Sequence, residues 1–383
     1  MTQSNDKATF IPFHRPAMYD HHVQSVVEAL RSGWLSSAKR VEEFEGAFAK
    51  VVGAKHPVAV NSCTSALHLA LICLEVGRGD EVITSPITFV SAVSIIEHAG
   101  AVPVFADVCP EDLTIDPDSV RQRITKRTKA IIATHFAGFP AHMAELEAIA
   151  DAAGIPLVTD AAHAIEVAYR GRPSGQLGRV ACYSFYPTKN ITSGEGGMLA
   201  TNDSEIAERA RSLRMHGVTK SAWDRYGPGG YKHWDVLALG WKYNMSDIQA
   251  ALGLAQLKDI WQWQDDRTIL EETYRGALDS RIPTLSPDAR GARWARHLFV
   301  VRVQKRDQVM EEVQKSGIGV GVHFRAVYRL KYYQEKYRIP KSEYPQAEKA
   351  SEEVLSLPLY PSLTVKEVYR VLDVLHKVVD DLR

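Results

Sequence analysis

The chain has 383 residues, of which 45% are apolar and 24% are charged, as is typical of a folded globular protein large enough for two domains. Lysine plus arginine and aspartate plus glutamate each number 46, so the formal net charge is zero and the basic excess of a nucleic-acid-binding protein is missing. No apolar run approaches a membrane span, and the first residues, MTQSNDKATF, lack the apolar core of a signal peptide. We therefore expect a cytoplasmic protein with no nucleic-acid or membrane partner.

Short apolar runs alternate with helical patterns through the first two-thirds of the chain. The runs that we predict to be strands are HPVAV, EVITS, AVPVFAD, AIIATH, IPLVTD, ACYSF and GMLAT. They are mainly apolar and do not alternate with polar residues, which is typical of strands buried on both faces, as in a parallel sheet. The alternation predicts an α/β fold in which a three-layer, mostly parallel sheet forms the first domain.

Helices are predicted between these strands. Residues 23–30 have helical spacing and precede Gly33, and residues 64–76 carry leucines on one face and meet Gly77, a predicted C-cap. Ser246 and Gln249 form a capping box, which predicts one long helix through AALGLAQLKDIWQWQDDR that bridges to a second lobe.

The pattern changes from about residue 270. HLFVVRV and GVGVHF are predicted strands, and DQVMEEVQKSG and KEVYRVLDVLHKVVDDL are predicted helices. We predict a large domain over residues 1–260 and a smaller C-terminal α+β domain over residues 261–383.

Cysteines and paired histidines offer no metal-binding pattern. The chain has four cysteines, Cys63, Cys73, Cys109 and Cys182. They have no CxxC spacing, which favours free thiols over a disulfide or zinc framework. His21 and His22 have no partner at ligand spacing, so we predict that both lie at the surface and that the protein has no metal site.

Ligands of doubly wound sheets bind at the carboxyl ends of strands, and several polar residues lie there. Ser62, Thr64 and Ser65 open a helix after HPVAV, either as a plain N-cap or as an anion site. Asp160 ends IPLVTD, either as an N-cap or as the partner of a protonated heterocyclic nitrogen. His163, one helical turn later, contacts the same ligand or supports Asp160.

Lys189 lies in YSFYPTKNITSGEGGMLAT among small polar residues, with no acid before Glu195. It is either a solvated loop lysine or a lysine that forms a Schiff base, and the following glycines would let the backbone turn close to a bound ring. Phe89 in SPITFVS either stacks on a planar cofactor or packs in the core. An anion site, an acid, a lysine and an aromatic ring are together the parts that pyridoxal 5′-phosphate needs.

Four segments, SFYPTKNITSGEGG, DAAHA, NSCTSALHLAL and GWKYNMSDIQAALGLAQL, resemble the DegT/DnrJ/EryC family of sugar aminotransferases, which are fold-type I pyridoxal-phosphate enzymes. The likeness extends from GWLSS to LSLPLYP. AWDRY, KYNMSD and GVHFRAVYRLKYYQE are similar to the branch of the family that forms UDP-4-amino-4-deoxy-L-arabinose. Cys63 departs from the family pattern, in which many members carry glycine.

The resemblance implies an aminotransferase that moves an amino group from L-glutamate, which leaves as 2-oxoglutarate, to a nucleotide-linked keto sugar, such as a UDP-4-keto sugar. The pathway would make lipopolysaccharide or another surface-polysaccharide sugar. Lys189 would hold the cofactor and move the proton, and Asp160 would pair with the pyridine nitrogen. Further cofactor contacts are implied for Thr64, Ser65, Phe89, His163 and Ser184.

The resemblance also implies a homodimer with shared active sites, because the KYN segment of the family reaches the phosphate in the neighbouring subunit. Lys242, Asn244 or both would make that contact here. Candidate substrate contacts are His323, Arg325 and Trp34, although Arg325 also suits a surface ion pair and Trp34 a dimer surface.

Three alternatives are open at this point. In the first, the enzyme would act on another activated keto sugar, at a different ring carbon or on a different nucleotide. In the second, the protein would be a cofactor-binding regulator without turnover. A metal-dependent enzyme that uses His135, Asp160 and His163 is a further alternative, but that spacing is not a known ligand pattern and leaves Lys189 unexplained.

Overall fold

The structure is a computed structural model that describes residues 10–219, 233–286 and 291–382. The AWDRY segment lies outside these residues. The strands are β1 (His56–Val60), β2 (Glu81–Thr84), β3 (Val102–Phe105), β4 (Thr128–Thr134), β5 (Leu157–Asp160), β6 (Ala168–Tyr169), β7 (Arg172–Pro173), β8 (Val180–Ser184), β9 (Gly197–Thr201), β10 (Ala292–Arg293), β11 (Phe299–Arg302) and β12 (Val354–Leu357).

The helices follow the same order along the chain. They are α1 (Asp20–Arg31), α2 (Lys39–Val52), α3 (Cys63–Cys73), α4 (Ser91–His98), α5 (Pro117–Arg123), α6 (Met143–Ala153), α7 (Ser204–Leu213), α8 (Asp247–Gln256), α9 (Ile260–Ala277), α10 (Arg306–Lys315), α11 (Lys331–Tyr337), α12 (Pro345–Glu353) and α13 (Val365–Asp381). None of these described helices is both long and apolar enough to cross a bilayer.

A seven-stranded sheet with the order β1-β9-β8-β5-β4-β2-β3 forms the centre of the molecule. Strands β8, β5, β4, β2 and β3 are parallel, and β9 runs antiparallel to both of its neighbours, β8 and β1. The prediction of a mostly parallel sheet is therefore confirmed. GMLAT was grouped with the parallel strands and is the exception, because a loop rather than a crossover helix joins it to β8.

Helices cover both faces of this sheet. Along β4, Ile131 and Ala133 belong to one hydrophobic cluster, and Ala130 and Ile132 belong to another on the opposite face. The first cluster includes residues of α2, α6 and α8, and the second includes residues of α3, α4 and α7. Burial of both faces explains why these strands are mainly apolar, and it confirms the three-layer prediction.

Two helix predictions were wrong in part, one at its C-terminal end and one in its middle. Helix α3 ends at Cys73, because Glu75 takes a left-handed conformation with φ of 59°, and the amide of Gly77 binds the side chain of Asp80 at 2.9 Å instead of capping the helix. The predicted long helix has the capping box at Ser246 but is two helices, α8 and α9, with Asp259 at the break.

Asp259 explains why one of the two histidines is not at the surface. Its Oδ2 lies 2.8 Å from Nε2 of both His21 and His22, and His22 is fully buried while His21 is exposed. The amide of Tyr19 donates to Nδ1 of His22 at 2.9 Å, so both ring nitrogens of His22 are satisfied. The prediction that both histidines lie at the surface was therefore wrong for His22.

The C-terminal part has a core of its own around the antiparallel pair β11 and β12 and helices α9, α10 and α13. GVGVHF is not a strand, since Gly321 makes only a single bridge to Ser356 and the residues after it turn towards a cavity. Strand β10 pairs with β6, and Ala295 joins the core of the large sheet. The division at residue 260 stays a prediction.

Candidate active site

A cavity of about 660 Å³ opens at the carboxyl ends of β2, β4, β5 and β8. Residues at or just after these strand ends line it, namely Thr88, Phe89, Thr134, Asp160, His163 and Ser184. Lys189, in the loop between β8 and β9, lines the same cavity. Strand ends of a parallel sheet meet along one edge, which is why residues far apart in sequence come together here.

Asp160 is the acidic group of the cavity. It is buried at the end of β5, and its Oδ1 accepts a hydrogen bond from the amide of Ala162 at 3.1 Å and from the thiol of Cys63 at 3.8 Å. Burial raises the pKa of this carboxyl, and the Ala162 amide and the charge of Lys189 only partly oppose the effect. A cationic ring nitrogen placed beside Asp160 would therefore favour its ionised form.

Lys189 is partly buried and faces the cavity, and desolvation lowers the pKa of its amine to about 8, against the opposing charge of Asp160. Roughly a tenth of such an amine is neutral at pH 7, whereas an exposed lysine is almost wholly charged. Its small polar neighbours shape the loop: the Thr192 hydroxyl and the Ser193 amide donate to the carbonyl of Phe185 at 2.9 and 3.0 Å. The loop therefore holds an amine that can act as a nucleophile or base.

His163 supplies a buried nitrogen with no partner. Its Nδ1 has no hydrogen bond to any residue that the structure describes, and burial lowers the pKa of the ring well below its usual value, so the ring is neutral. The ring stacks on His297 with 4.2 Å between centroids, and His297 is held by Asn190 at 2.8 Å. Since orphaned buried nitrogens are rare, His163 indicates a place for a ligand atom.

The other end of the cavity has hydroxyl groups at the start of α3. Ser62 is the N-cap and accepts from the amide of Ser65 at 3.1 Å, while Thr64 and Ser184 line the cavity. A Cβ at Gly197 would collide with the backbone of Ser62, so only glycine lets β9 pass beside this helix start. Hydroxyls and free amides at a helix N-terminus suit a phosphate.

Ser65 is placed differently from its prediction. It is not part of the cavity lining, and its hydroxyl lies 2.6 Å from Oδ1 of Asn61, to which it donates. Its phosphate contact stays a prediction.

These groups fit pyridoxal 5′-phosphate. Asp160 suits the ring nitrogen, Lys189 the aldehyde carbon, His163 a polar substituent or a face of the ring, and Thr64 with the start of α3 the phosphate. Phe89 is 58% exposed at the cavity wall, so its ring is accessible to stack on a planar ligand.

Lys242 and Asn244 lie outside this lining. The amine of Lys242 is 3.5 Å from the sulfur of Met215, and the side-chain amide of Asn244 donates to the hydroxyl of Ser37 at 2.7 Å. Their predicted target is the cavity of a second subunit, so their roles stay predictions.

The three candidate substrate residues are separated. His323 lines the cavity, and burial lowers its pKa to about 4. Its Nδ1 is 2.9 Å from the hydroxyl of Ser356. Arg325 is exposed, its guanidinium 3.4 Å from the carbonyl of Arg329, and Trp34 is partly buried away from the lining.

The sequence interpretation missed several lining residues, including Phe13, Thr88, Thr134, Tyr186, Thr188 and Phe324. Thr134 ends β4, so the strand-end rule that selected Asp160 would have selected it too, and its hydroxyl lies 3.1 Å from that of Thr88. No local sequence pattern marks Phe13 as a lining residue. It reaches the cavity because its backbone packs against Gly319, which is distant in sequence.

Comparisons with known proteins agree with this geometry. The model of the DegT/DnrJ/EryC1/StrS aminotransferase family matches residues 16–376. The chain is 41% identical over 378 residues to the Bacillus subtilis (strain 168) spore coat polysaccharide biosynthesis protein SpsC, with 97% of each chain covered.

Three solved structures, of two proteins, are similar over nearly the whole chain. Spr1654 from Streptococcus pneumoniae, designated a sugar aminotransferase, matches in its PMP form with a TM-score of 0.91 and 30% identity over 97% of this chain and 100% of that one. Its PLP form matches with a TM-score of 0.90 and 29% identity, over 98% and 100%. DesI, solved in the presence of its TDP-sugar product, matches with a TM-score of 0.85 and 29% identity over 97% and 93%.

Proposed function

Since the chain belongs to the DegT/DnrJ/EryC1/StrS aminotransferase family and is a sugar aminotransferase that uses pyridoxal phosphate, we propose a specific reaction for it. It transfers an amino group from L-glutamate to a nucleotide-linked 4-keto sugar. One cavity holding Asp160, Lys189 and the unpartnered nitrogen of His163 carries this proposal. The TDP-sugar product of DesI supports a nucleotide-linked substrate, and the name of SpsC supports a polysaccharide pathway.

The residues of the chain have distinct proposed roles. Bound pyridoxal phosphate supplies an electron sink for the carbon that exchanges the amino group. Asp160 keeps the ring nitrogen protonated, and Thr64, Ser184 and the start of α3 hold the phosphate. His163 and Phe89 hold the ring in place from the cavity wall.

Lys189 holds the cofactor and then moves the proton. Its amine, with a pKa of about 8, would take the proton from the carbon that bears the donor nitrogen and would deliver a proton to the cofactor carbon attached to the same nitrogen. The same amine acts in both half-reactions, so donor and sugar react in turn with ping-pong kinetics.

We further propose a cytoplasmic homodimer in which Lys242 and Asn244 complete the phosphate site of the partner subunit. Both side chains lie away from the cavity of their own subunit, which supports this role. None of the four cysteines forms a disulfide, which supports a reducing compartment. His323 is the proposed substrate contact within the subunit, and Trp34 and Arg325, which do not line this cavity, are further candidate contacts.

An absorption experiment tests the proposal. The visible absorption of bound pyridoxal phosphate should disappear when L-glutamate is added and return when a UDP- or TDP-linked 4-keto sugar is added. Return with a 3-keto sugar alone would move the reaction to another ring carbon. A protein that takes up no pyridoxal phosphate would contradict the roles given to Lys189 and Asp160.

A further inference from the structure

A second group of metal-binding side chains lies away from the cavity. Cys109 and Asp112, in the loop after β3, approach His142, which precedes α6, and their ligand atoms all lie within 4.8 Å of one another. Asp112 is fully buried, Cys109 is 8% exposed and the side chain of His142 is 19% exposed. None of the three lines the cofactor cavity, so the proposed transamination does not use them.

The separation between His142 and Asp112 matches a shared ion better than a hydrogen bond. Nε2 of His142 is 3.6 Å from Oδ2 of Asp112, which is too long for a normal hydrogen bond, and within the described part of the chain this buried nitrogen has no hydrogen-bond partner. Two ligand atoms, each about 2.0–2.2 Å from one tetrahedral zinc ion, lie about 3.3–3.6 Å apart. The gap therefore has the size that a zinc ion between the two atoms requires.

The carboxylate of Asp112 is already oriented for this purpose. Its Oδ1 accepts hydrogen bonds from the amide and the hydroxyl of Thr114 at 2.8 and 2.7 Å. These bonds fix the carboxylate within its own loop and leave Oδ2 on the side of His142. Such prior orientation lowers the cost of assembling a metal site.

A second histidine–carboxylate group among the described residues provides a contrast. His21, His22 and Asp259 also lie within ligand distance of one another. There the amide of Tyr19 donates to Nδ1 of His22, so Nε2 carries the proton and donates to Asp259 at 2.8 Å. Every nitrogen of His22 is satisfied without an ion, so this group serves as a matched control.

We propose that Cys109, Asp112 and His142 bind one zinc ion through a thiolate, a carboxylate and an imidazole, with water as the fourth ligand. Zinc accepts this mixture of sulfur, oxygen and nitrogen ligands. Binding releases the thiol proton of Cys109 to solvent, and no electron is transferred.

The ion would join two elements and stabilise a contact beyond them. The Cys109–Thr114 loop also meets the C-terminal part, since the amide of Ser286 donates to the carbonyl of Glu111 at 3.0 Å and Arg302 donates to the carbonyl of Pro110 at 3.3 Å. Zinc would therefore tie α6 to the loop on which the C-terminal part rests. Its role is structural.

Zinc retention tests the proposal on the cofactor-loaded protein. The protein is stripped with a chelator, given zinc, dialysed and analysed by mass spectrometry for metal. We expect about one zinc per chain in the wild type and in His22→Gln, and at least a tenfold lower zinc content in Cys109→Ser and in His142→Gln. Far-UV circular dichroism and cofactor absorption, recorded without zinc, check that each variant folds.

Cobalt substitution identifies the ligands directly. Co²⁺ in the wild type should show the visible bands of a tetrahedral site, and its thiolate band should vanish in Cys109→Ser. Equal zinc content in the wild type and Cys109→Ser overturns the proposal, as does a cobalt spectrum without thiolate character. Loss of zinc in His22→Gln with retention in His142→Gln would place the ion at the control group and overturn it as well.

Discussion

The proposed cofactor side and the proposed substrate side of the cavity are built from different parts of the molecule. Asp160, Ser184 and Lys189 come from the ends of adjacent, buried strands and the loop between β8 and β9. Phe13 and His323 come from the N-terminal segment and the C-terminal part, which are joined by single bridges such as that between Ile11 and Ile318. We infer from this difference that the sheet positions the groups proposed for the chemistry. The less regular segments form the wall that the proposed sugar substrate would contact.

Removal of the amine of Lys189 should give the largest loss of turnover. A small loss would contradict the view that the chemistry takes place on the cofactor side of the cavity. We expect Lys189→Ala to lower turnover by about 10⁴-fold or more, because both proton transfers lose their base. The change in cofactor absorption after mixing with L-glutamate measures it. Lys331→Ala, at an exposed lysine of α11, is the matched control and should retain wild-type turnover. Turnover of the Lys189 variant within tenfold of wild type would contradict the assignment.

Asp160→Asn should have the next largest effect. The amide keeps the shape of the side chain but cannot hold a proton on the ring nitrogen, so we expect kcat/KM for L-glutamate to fall by about 10²- to 10³-fold with the cofactor still bound. Steady-state kinetics and cofactor absorption measure the two properties separately. Near-normal kcat/KM would show that Asp160 has no ring-nitrogen role.

Behind the cofactor side, stability should depend on a buried ion pair. Arg267 lies 3.7 Å from the buried carboxylate of Glu166 and donates to the carbonyl of Asn190 at 3.1 Å. We expect Arg267→Met to lower the free energy of unfolding by about 3–5 kcal/mol, since Glu166 would keep a buried, unpaired charge. Urea unfolding measures it. The exposed Arg325→Met is the control and should change little; equal effects would contradict the buried pair.

The pH dependence of cofactor uptake should distinguish Lys189, on the cofactor side of the cavity, from His323, on the substrate side. The neutral amine of Lys189 is the reactive form, and its pKa is about 8, so the rate of uptake by cofactor-free protein should rise about tenfold per pH unit below 8 and level off above it. His323, with a pKa of about 4, stays neutral over this range and should add nothing. A stopped-flow series from pH 6 to pH 9 measures it, and a rate that is flat below pH 8 would contradict the low pKa of Lys189.

The smallest kinetic effect should come from a substitution on the substrate side of the cavity. We expect His323→Gln to raise KM for the keto sugar by about three- to tenfold with kcat nearly unchanged, because it removes a wall contact and not a reacting group. Kinetics with the sugar varied at saturating L-glutamate measure it. An equal fall in kcat would place His323 among the reacting groups and remove the distinction between the two sides.

The parts of the fold that could be predicted from the sequence are those in which the local pattern of apolar residues matches the burial seen in the structure. Strands of the large sheet are apolar because helices cover both faces, and Asp160 could be selected because it ends one of them. Pairing direction leaves no mark on a buried strand, so the antiparallel course of β9 could not be predicted.

Other features depend on distant contacts. Asp259, at the helix break, contacts His21 and His22, and Phe13 lies at the cavity beside Gly319 of the C-terminal part. Such contacts join segments more than two hundred residues apart, so no local window of sequence contains them. The proposed zinc ligands could not be selected from the sequence for the same reason, because the fold and not the spacing brings His142 to Cys109.

The position of β9 between β8 and β1 has a consequence for synthesis on the ribosome. Strand β1 emerges early, but its only strand neighbour within the described sheet is β9, which begins at Gly197. The ladder hydrogen bonds between β1 and β9 therefore cannot form until the whole stretch from Asn61 to Gly196 has been translated. The loop that carries Lys189 directly precedes β9, so this loop and the strand that pairs with β1 leave the ribosome one after the other.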